Sequence, residues 1–243
     1  MTPRGPGELL VASAQLYRRH WRLVGAMTLP IVVIVVGLTA LGLGELGAHY
    51  HSSLSQRDIY IEGAANELVA APLVTSILAR LVWLESRGEQ VPVTVLLGDA
   101  LEAFPAALLA VLVWLLISAA GFVLLIVPGI YTFVNWYFVV QAVSIDGARG
   151  FEPLSRSAAL VRGNWWRSFG VGACFVIINV VVTEVITALF AALASSSNSD
   201  AVLVAGEIVA YAVMLPFLAI GATLYYLDLR ELASRRPAPQ RRF

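Results

Sequence analysis

The sequence predicts an all-α integral membrane protein with six transmembrane helices and amphipathic interfacial helices. Apolar residues make up 59% of the 243 residues and charged residues only 13%, with a mean hydropathy of +0.80. Ordinary soluble domains carry about 25% charged residues. The apolar residues form long runs, most of them close to the roughly 20 residues that a helix needs to cross a bilayer. The predicted spans are 23–46, 64–84, 105–127, 130–145, 168–193 and 201–226.

The basic residues predict how these spans are oriented. All 16 are arginine, and all but Arg57 fall before the first span, at or beyond the end of the second, between the fourth and fifth, or after the last. Positive residues are retained in the cytoplasm. We therefore expect a multi-pass protein of the cell inner (cytoplasmic) membrane with both termini cytoplasmic. Residues 1–232 form a single membrane domain, and 233–243 are a basic cytoplasmic tail.

The segment before the first span is predicted to be an interfacial helix. Leu10, Ala14, Tyr17 and Trp21 follow helical spacing and define one apolar face, with arginines on the other. Residues 8–22 and 152–166 are identical at seven of fifteen positions without a gap. Either an ancestral unit was repeated, or two amphipathic helices converged on the same composition.

A weaker third copy suggests three units of interfacial helix plus transmembrane hairpin, at about 7–86, 92–147 and 151–232. Leu97, Leu101, Phe104 and Leu108 repeat the apolar spacing, although acidic residues replace the basic ones. Proline and glycine at 127–129 predict a tight turn between the third and fourth spans, because they interrupt a long helix. The polar stretch 195–200 predicts an outer loop.

The two basic interfacial helices predict contact with anionic lipid of the cytoplasmic leaflet. Each arginine near such a surface contributes about 1 kcal/mol, and tryptophan favours the head-group level. A membrane-protein partner, not identified by the sequence, is the other expected contact, and no nucleic acid is expected. The candidate head-group residues are Arg18, Arg19, Trp21, Arg22, Arg156, Arg162, Trp165, Trp166 and Arg167.

Polar residues within the spans form a second candidate site, because ionisable groups in the bilayer are costly. One hypothesis is an outward-open chamber in which Glu184 and Glu207 bind a cation or relay a proton. The alternative is that each acid is protonated or hydrogen-bonded and serves helix packing. The candidate residues are Glu67, Asn135, Asn179, Glu184 and Glu207.

The sequence predicts no enzymatic, cofactor or metal site. Cys174 is the only cysteine, which excludes an intrachain disulfide. No HExxH, GxSxG or nucleotide-binding loop is present. His49 and His51, with Asp58 nearby, have a spacing that can ligate a metal, but a solvated loop is the preferred interpretation because a third ligand is missing.

Residues 124–170 resemble the membrane domain associated with bacterial glycerophosphoryl diester phosphodiesterases. The matching motifs are Pro128-Gly129-Ile130-Tyr131, Asp146-Gly147 and the stretch 155–167, and the segment 225–230 is similar to the end of stand-alone actinobacterial members. In that family the phosphodiesterase activity belongs to a separate soluble barrel, which has no counterpart in this sequence. The resemblance therefore implies a membrane protein without that activity.

Two functions remain open at this stage. The first is a non-enzymatic scaffold or accessory subunit that interacts with lipid through its interfacial helices. The second is a small transporter or permease that uses its intramembrane carboxylates. An intramembrane enzyme is the least favoured interpretation, since no catalytic motif is present.

Overall fold

The computed structural model describes residues 4–42, 63–89, 92–197 and 200–235, and within these ranges every regular element is helical. A π-helical turn, Asn66–Ala70, leads into the third helix. The helices are α1 (Pro6–Arg19), α2 (Trp21–Gly42), α3 (Ala71–Ser86), α4 (Val93–Leu124), α5 (Ile126–Asn135), α6 (Val139–Asp146), α7 (Glu152–Val161), α8 (Trp165–Ser197) and α9 (Asp200–Arg235).

Six helical segments in the described ranges are long and apolar enough to cross a membrane, which confirms the predicted class. The fourth of them combines α5 and α6, and the second includes the π-helical turn. They are Trp21–Leu41, Gly63–Ser86, Val93–Leu124, Ile126–Asp146, Trp165–Ser195 and Ala201–Arg235.

The twelve arginines that the structure describes lie at one end of the bundle, which we call the arginine end. Cross-helix ion pairs join elements there: Arg19 on α1 pairs with Glu85 on α3 at 3.3 Å, and Arg80 on α3 pairs with Asp99 on α4 at 3.2 Å. Arg57 and residues 236–243 lie outside the described residues. The helix α9 continues to Arg235, so residues 233–235 of the predicted tail are helical.

The middle interfacial helix predicted at 97–108 is not a separate element. The helix α4 runs without interruption for 32 residues, with Pro105 inside it. At 1.5 Å per residue it is about 48 Å long, well beyond the roughly 30 Å hydrocarbon core. Its first turns therefore extend the span, and the Arg80–Asp99 pair holds them against α3.

The predicted turn at 127–129 is displaced towards the N-terminus. Leu125 is the extended residue between α4 and α5, with φ −159° and ψ 141°, and Pro128 lies in the first turn of α5. A proline is tolerated there because the first helical N–H groups have no intrahelical acceptor. A Cβ at Gly129 would lie 2.5 Å from the ring of Phe122, so glycine permits the two helices to approach closely.

The fourth span, predicted as one helix over 130–145, is interrupted at 136–138. The side chain of Ser157 on α7 satisfies backbone groups at this break: its hydroxyl donates to the carbonyl of Asn135 at 2.7 Å and accepts from the N–H of Phe138 at 3.1 Å. Interrupted helices at membrane depth are tolerated only where such groups are satisfied within the protein. The helix α7 therefore packs against the break and does more than lie on a lipid surface.

The main apolar core contains buried residues from every helix except α4. Leu9, Phe138, Tyr225 and Tyr226 are among its largest fully buried side chains. At Gly221 on α9, a Cβ would collide with the ring of Phe175 on α8 and would lie 3.1 Å from the hydroxyl of Ser13 on α1. A glycine is thus required where α1, α8 and α9 meet.

Candidate functional site

Asp146 is the centre of a charged cluster at the arginine end. It ends α6, and Gly147 follows it with a left-handed φ of 68°, which favours glycine. The hydroxyl of Tyr226 donates to Asp146 Oδ2 at 2.5 Å. Arg156 and Arg230 form ion pairs with the carboxylate at 3.3 and 3.0 Å, and its side chain is only 8% exposed. One carboxylate thereby links α6, α7 and α9.

The predicted head-group arginines divide into anchored and exposed residues. Arg156 also pairs with Glu152 at 2.7 Å, and this hydrogen bond, with the charges of Glu152 and Asp146, raises the pKa of Arg156 above its usual value. Arg167 donates to the carbonyl of Arg4 at 2.6 Å, and Arg4 pairs with Asp228 at 2.9 Å. These two arginines hold helices together.

The remaining arginines of the set are exposed. The side chain of Arg19 is 74% exposed although it contacts Glu85. His20 also contacts Glu85, at 3.0 Å. Arg18, Arg22 and Arg162 are exposed at the same end, so they are the arginines of the set best placed to meet lipid head groups.

The three candidate tryptophans have different environments. Trp21 is 58% exposed, with the Arg22 guanidinium 5.4 Å from its ring centroid, and Trp166 is 79% exposed. Trp165 is half-buried between two parallel rings, those of Tyr131 at 6.0 Å and Phe169 at 5.6 Å. The stack places an aromatic ladder between α5 and α8.

An apolar groove, which we call the α5–α8 groove, follows this ladder. It consists of a cavity of about 250 Å³ and an adjoining hollow of about 520 Å³ that share Ile130 and Phe169. Few polar atoms line it. One of them is the hydroxyl of Ser168, which lies 3.2 Å from the hydroxyl of Tyr225. The lining residues are Phe122, Val127, Ile130, Tyr131, Phe133, Val134, Tyr137, Phe138, Trp165, Trp166, Ser168, Phe169, Gly172, Ala173 and Val176.

One residue that lines this groove carries a buried donor. The indole Nε1 of Trp165 is buried and has no hydrogen-bond partner among the described residues. Sequence reasoning assigned Trp165 to the membrane surface and missed the groove, which depends on how α5 and α8 converge. No local sequence signal identifies it, because its lining comes from residues 122–138 and 165–176, which are distant in sequence.

The structure brings together only two of the five predicted intramembrane polar residues. Glu184 and Glu207 line a hollow of about 270 Å³ between α8 and α9, far from the arginine end. Glu184 is exposed and Glu207 half-buried. The others are elsewhere: Glu67 is exposed in the π-helical turn, Asn135 is buried at the break, and Asn179 is half-buried on α8; none lines this hollow.

Among the described residues, no group of three or more His, Cys, Asp or Glu side chains is arranged to hold a metal ion. Cys174 is a free thiol, half-buried on α8. His49, His51 and Asp58 lie outside the described residues.

The six helical segments that are long and apolar enough to cross a membrane define a polytopic, all-α membrane protein. Residues 56–229 match the family model described as a domain of unknown function (DUF7847). This match covers most of the chain, so the protein belongs to that family. No curated protein and no solved structure matches the chain. The resemblance to the membrane domain of glycerophosphoryl diester phosphodiesterases remains a prediction.

Proposed function

We propose that the protein is a non-enzymatic, lipid-interacting scaffold or accessory subunit of a bacterial cytoplasmic membrane, with both termini in the cytoplasm. The observation that carries the proposal is the gathering of the described arginines and of exposed aromatic rings at one end. Trp21, Phe151 and Trp166 are 58%, 77% and 79% exposed there. Aromatic rings and arginines in one belt are typical of a surface in contact with anionic head groups.

The arrangement of the arginines supports a lipid role beyond orientation. The anchored residues fix α6, α7, α8 and α9 through Asp146 and Asp228. The exposed Arg18 lies on α1, which directly follows the anchored Arg4. Preorganised charges order a head group at a lower entropic cost than mobile ones.

The proposal is tested by counting lipids on the purified protein. The wild type is extracted from nanodiscs of equal phosphatidylglycerol and phosphatidylethanolamine, and retained lipids are measured by native mass spectrometry. We expect phosphatidylglycerol to be enriched, and Arg18→Gln with Arg22→Gln to reduce the enrichment several-fold. Arg57→Gln, the arginine predicted on the opposite side, is the control. Equal retention of both lipids by the wild type would contradict the proposal.

Transport is the second candidate, because Glu184 and Glu207 share one hollow. It is tested with proteoliposomes that contain a pH-sensitive dye and carry an imposed sodium or proton gradient. The scaffold proposal expects no flux above that of protein-free liposomes. A flux that the Glu184→Gln and Glu207→Gln variants abolish would establish transport instead.

A further inference from the structure

We infer that the α5–α8 groove binds one acyl chain of an anionic phospholipid, with the head group at the arginine end. The inference rests on the proposed lipid interaction and assigns it a specific site. The combined volume is within the roughly 300 to 1,000 Å³ that is typical of ligand sites.

The lining of the groove fits a hydrocarbon chain. Its surface is formed mainly by aromatic and aliphatic side chains, among them Phe122, Phe133 and Val176. The groove is open at its edge, since the edge residues Val127 and Trp166 are 76% and 79% exposed. In a bilayer such a groove faces lipid, and an acyl chain fills it without burying a polar group.

The polar end of the groove fits a phospholipid head group. Trp165 and Ser168 belong to the first turn of α8, directly after the arginine-bearing connection that contains Arg162. The positive charge of this end favours an anionic lipid over a zwitterionic one.

Two glycines on α8 provide a matched pair of variants. Gly172 lines the groove and Gly170 does not. A Cβ at either position meets no atom within 4 Å. Leucine at either position also improves the helix propensity, so Gly172→Leu fills the groove whereas Gly170→Leu adds the same side chain outside it.

The experiment is native mass spectrometry of the full chain from phosphatidylglycerol and phosphatidylethanolamine nanodiscs, at a collision energy that removes loosely bound lipid. We expect the wild type and Gly170→Leu to retain one phosphatidylglycerol. For Gly172→Leu, we expect the fraction of protein that retains this lipid to fall at least ten-fold.

Other outcomes separate this inference from the proposed function. If phosphatidylglycerol is enriched at low collision energy but Gly172→Leu retains the tightly bound lipid as well as Gly170→Leu does, the groove site is wrong and the scaffold proposal stands. If no anionic lipid is enriched at all, the proposed function fails as well. If Gly172→Leu instead dissociates a dimer, a second copy of the chain occupies the groove and the inference is overturned.

Discussion

The helices α1 and α7 have similar sequences but different roles. Ser13 and Ser157 occupy equivalent positions, and both are fully buried. The hydroxyl of Ser13 donates within its own helix, to the carbonyl of Leu9 at 2.7 Å. The hydroxyl of Ser157 instead reaches another span and bonds to Asn135 and Phe138. The same amphipathic segment therefore packs against a continuous bundle in one case and completes an interrupted span in the other.

The tryptophans that follow the two helices also differ: the one after α7 packs against other spans, and the one after α1 is exposed. Trp21 is mainly exposed, whereas Trp165 stacks between Tyr131 and Phe169. The difference arises from the neighbours: α8 begins beside α5, while α2 begins at the edge of the bundle. A shared sequence pattern thus predicts the interfacial helix, and the local packing determines what it does.

The largest difference is expected between the acids that anchor the two helices. Asp146→Ala removes the acceptor of Tyr226 and leaves Arg156 and Arg230 without their shared partner, whereas Asp228→Ala removes one pair with Arg4. We expect about 3 kcal/mol of lost stability for Asp146→Ala and about 1 kcal/mol for Asp228→Ala. Reversible unfolding in mixed micelles measures both. Equal losses would mean that α7 is not anchored more strongly than α1.

The serine pair gives the next largest effect. Ser157→Ala leaves the N–H of Phe138 and the carbonyl of Asn135 without their partner in a buried position, and we expect a loss of about 2 kcal/mol. Ser13→Ala removes a hydrogen bond to the carbonyl of Leu9, which still accepts a backbone hydrogen bond within α1. A loss below about 1 kcal/mol is therefore expected. The same unfolding measurement applies. A greater loss for Ser13→Ala would reverse the assigned roles.

The tryptophan pair gives the smallest effect on stability. Trp165→Phe reduces the area of a stacked ring, and we expect a loss of about 1 kcal/mol, whereas Trp21→Phe changes an exposed ring and should cost only a few tenths. Thermal unfolding in nanodiscs compares the two variants. Indistinguishable midpoints would indicate that the ring stack contributes nothing to stability.

The sequence predicts the six spans, the arginine end and the two interfacial helices, because hydropathy and charge report directly on the bilayer. It does not predict the break at 136–138, since Ser157 that satisfies it is 19 or more residues away in sequence. For the same reason Asp146 was recognised as a motif residue but not as the centre of an ion cluster. The prediction of a separate middle helix was wrong because an amphipathic spacing does not reveal whether a helix continues into the next span.

Spin-labelled lipids test most directly whether the arginine end selects anionic lipid. Electron paramagnetic resonance measures the motionally restricted fraction of labelled phosphatidylglycerol and phosphatidylcholine around the reconstituted protein. We expect a larger restricted fraction for phosphatidylglycerol, and a difference that shrinks as salt is raised, because salt screens charges at the surface. Equal restricted fractions at low salt would contradict lipid selection at this end.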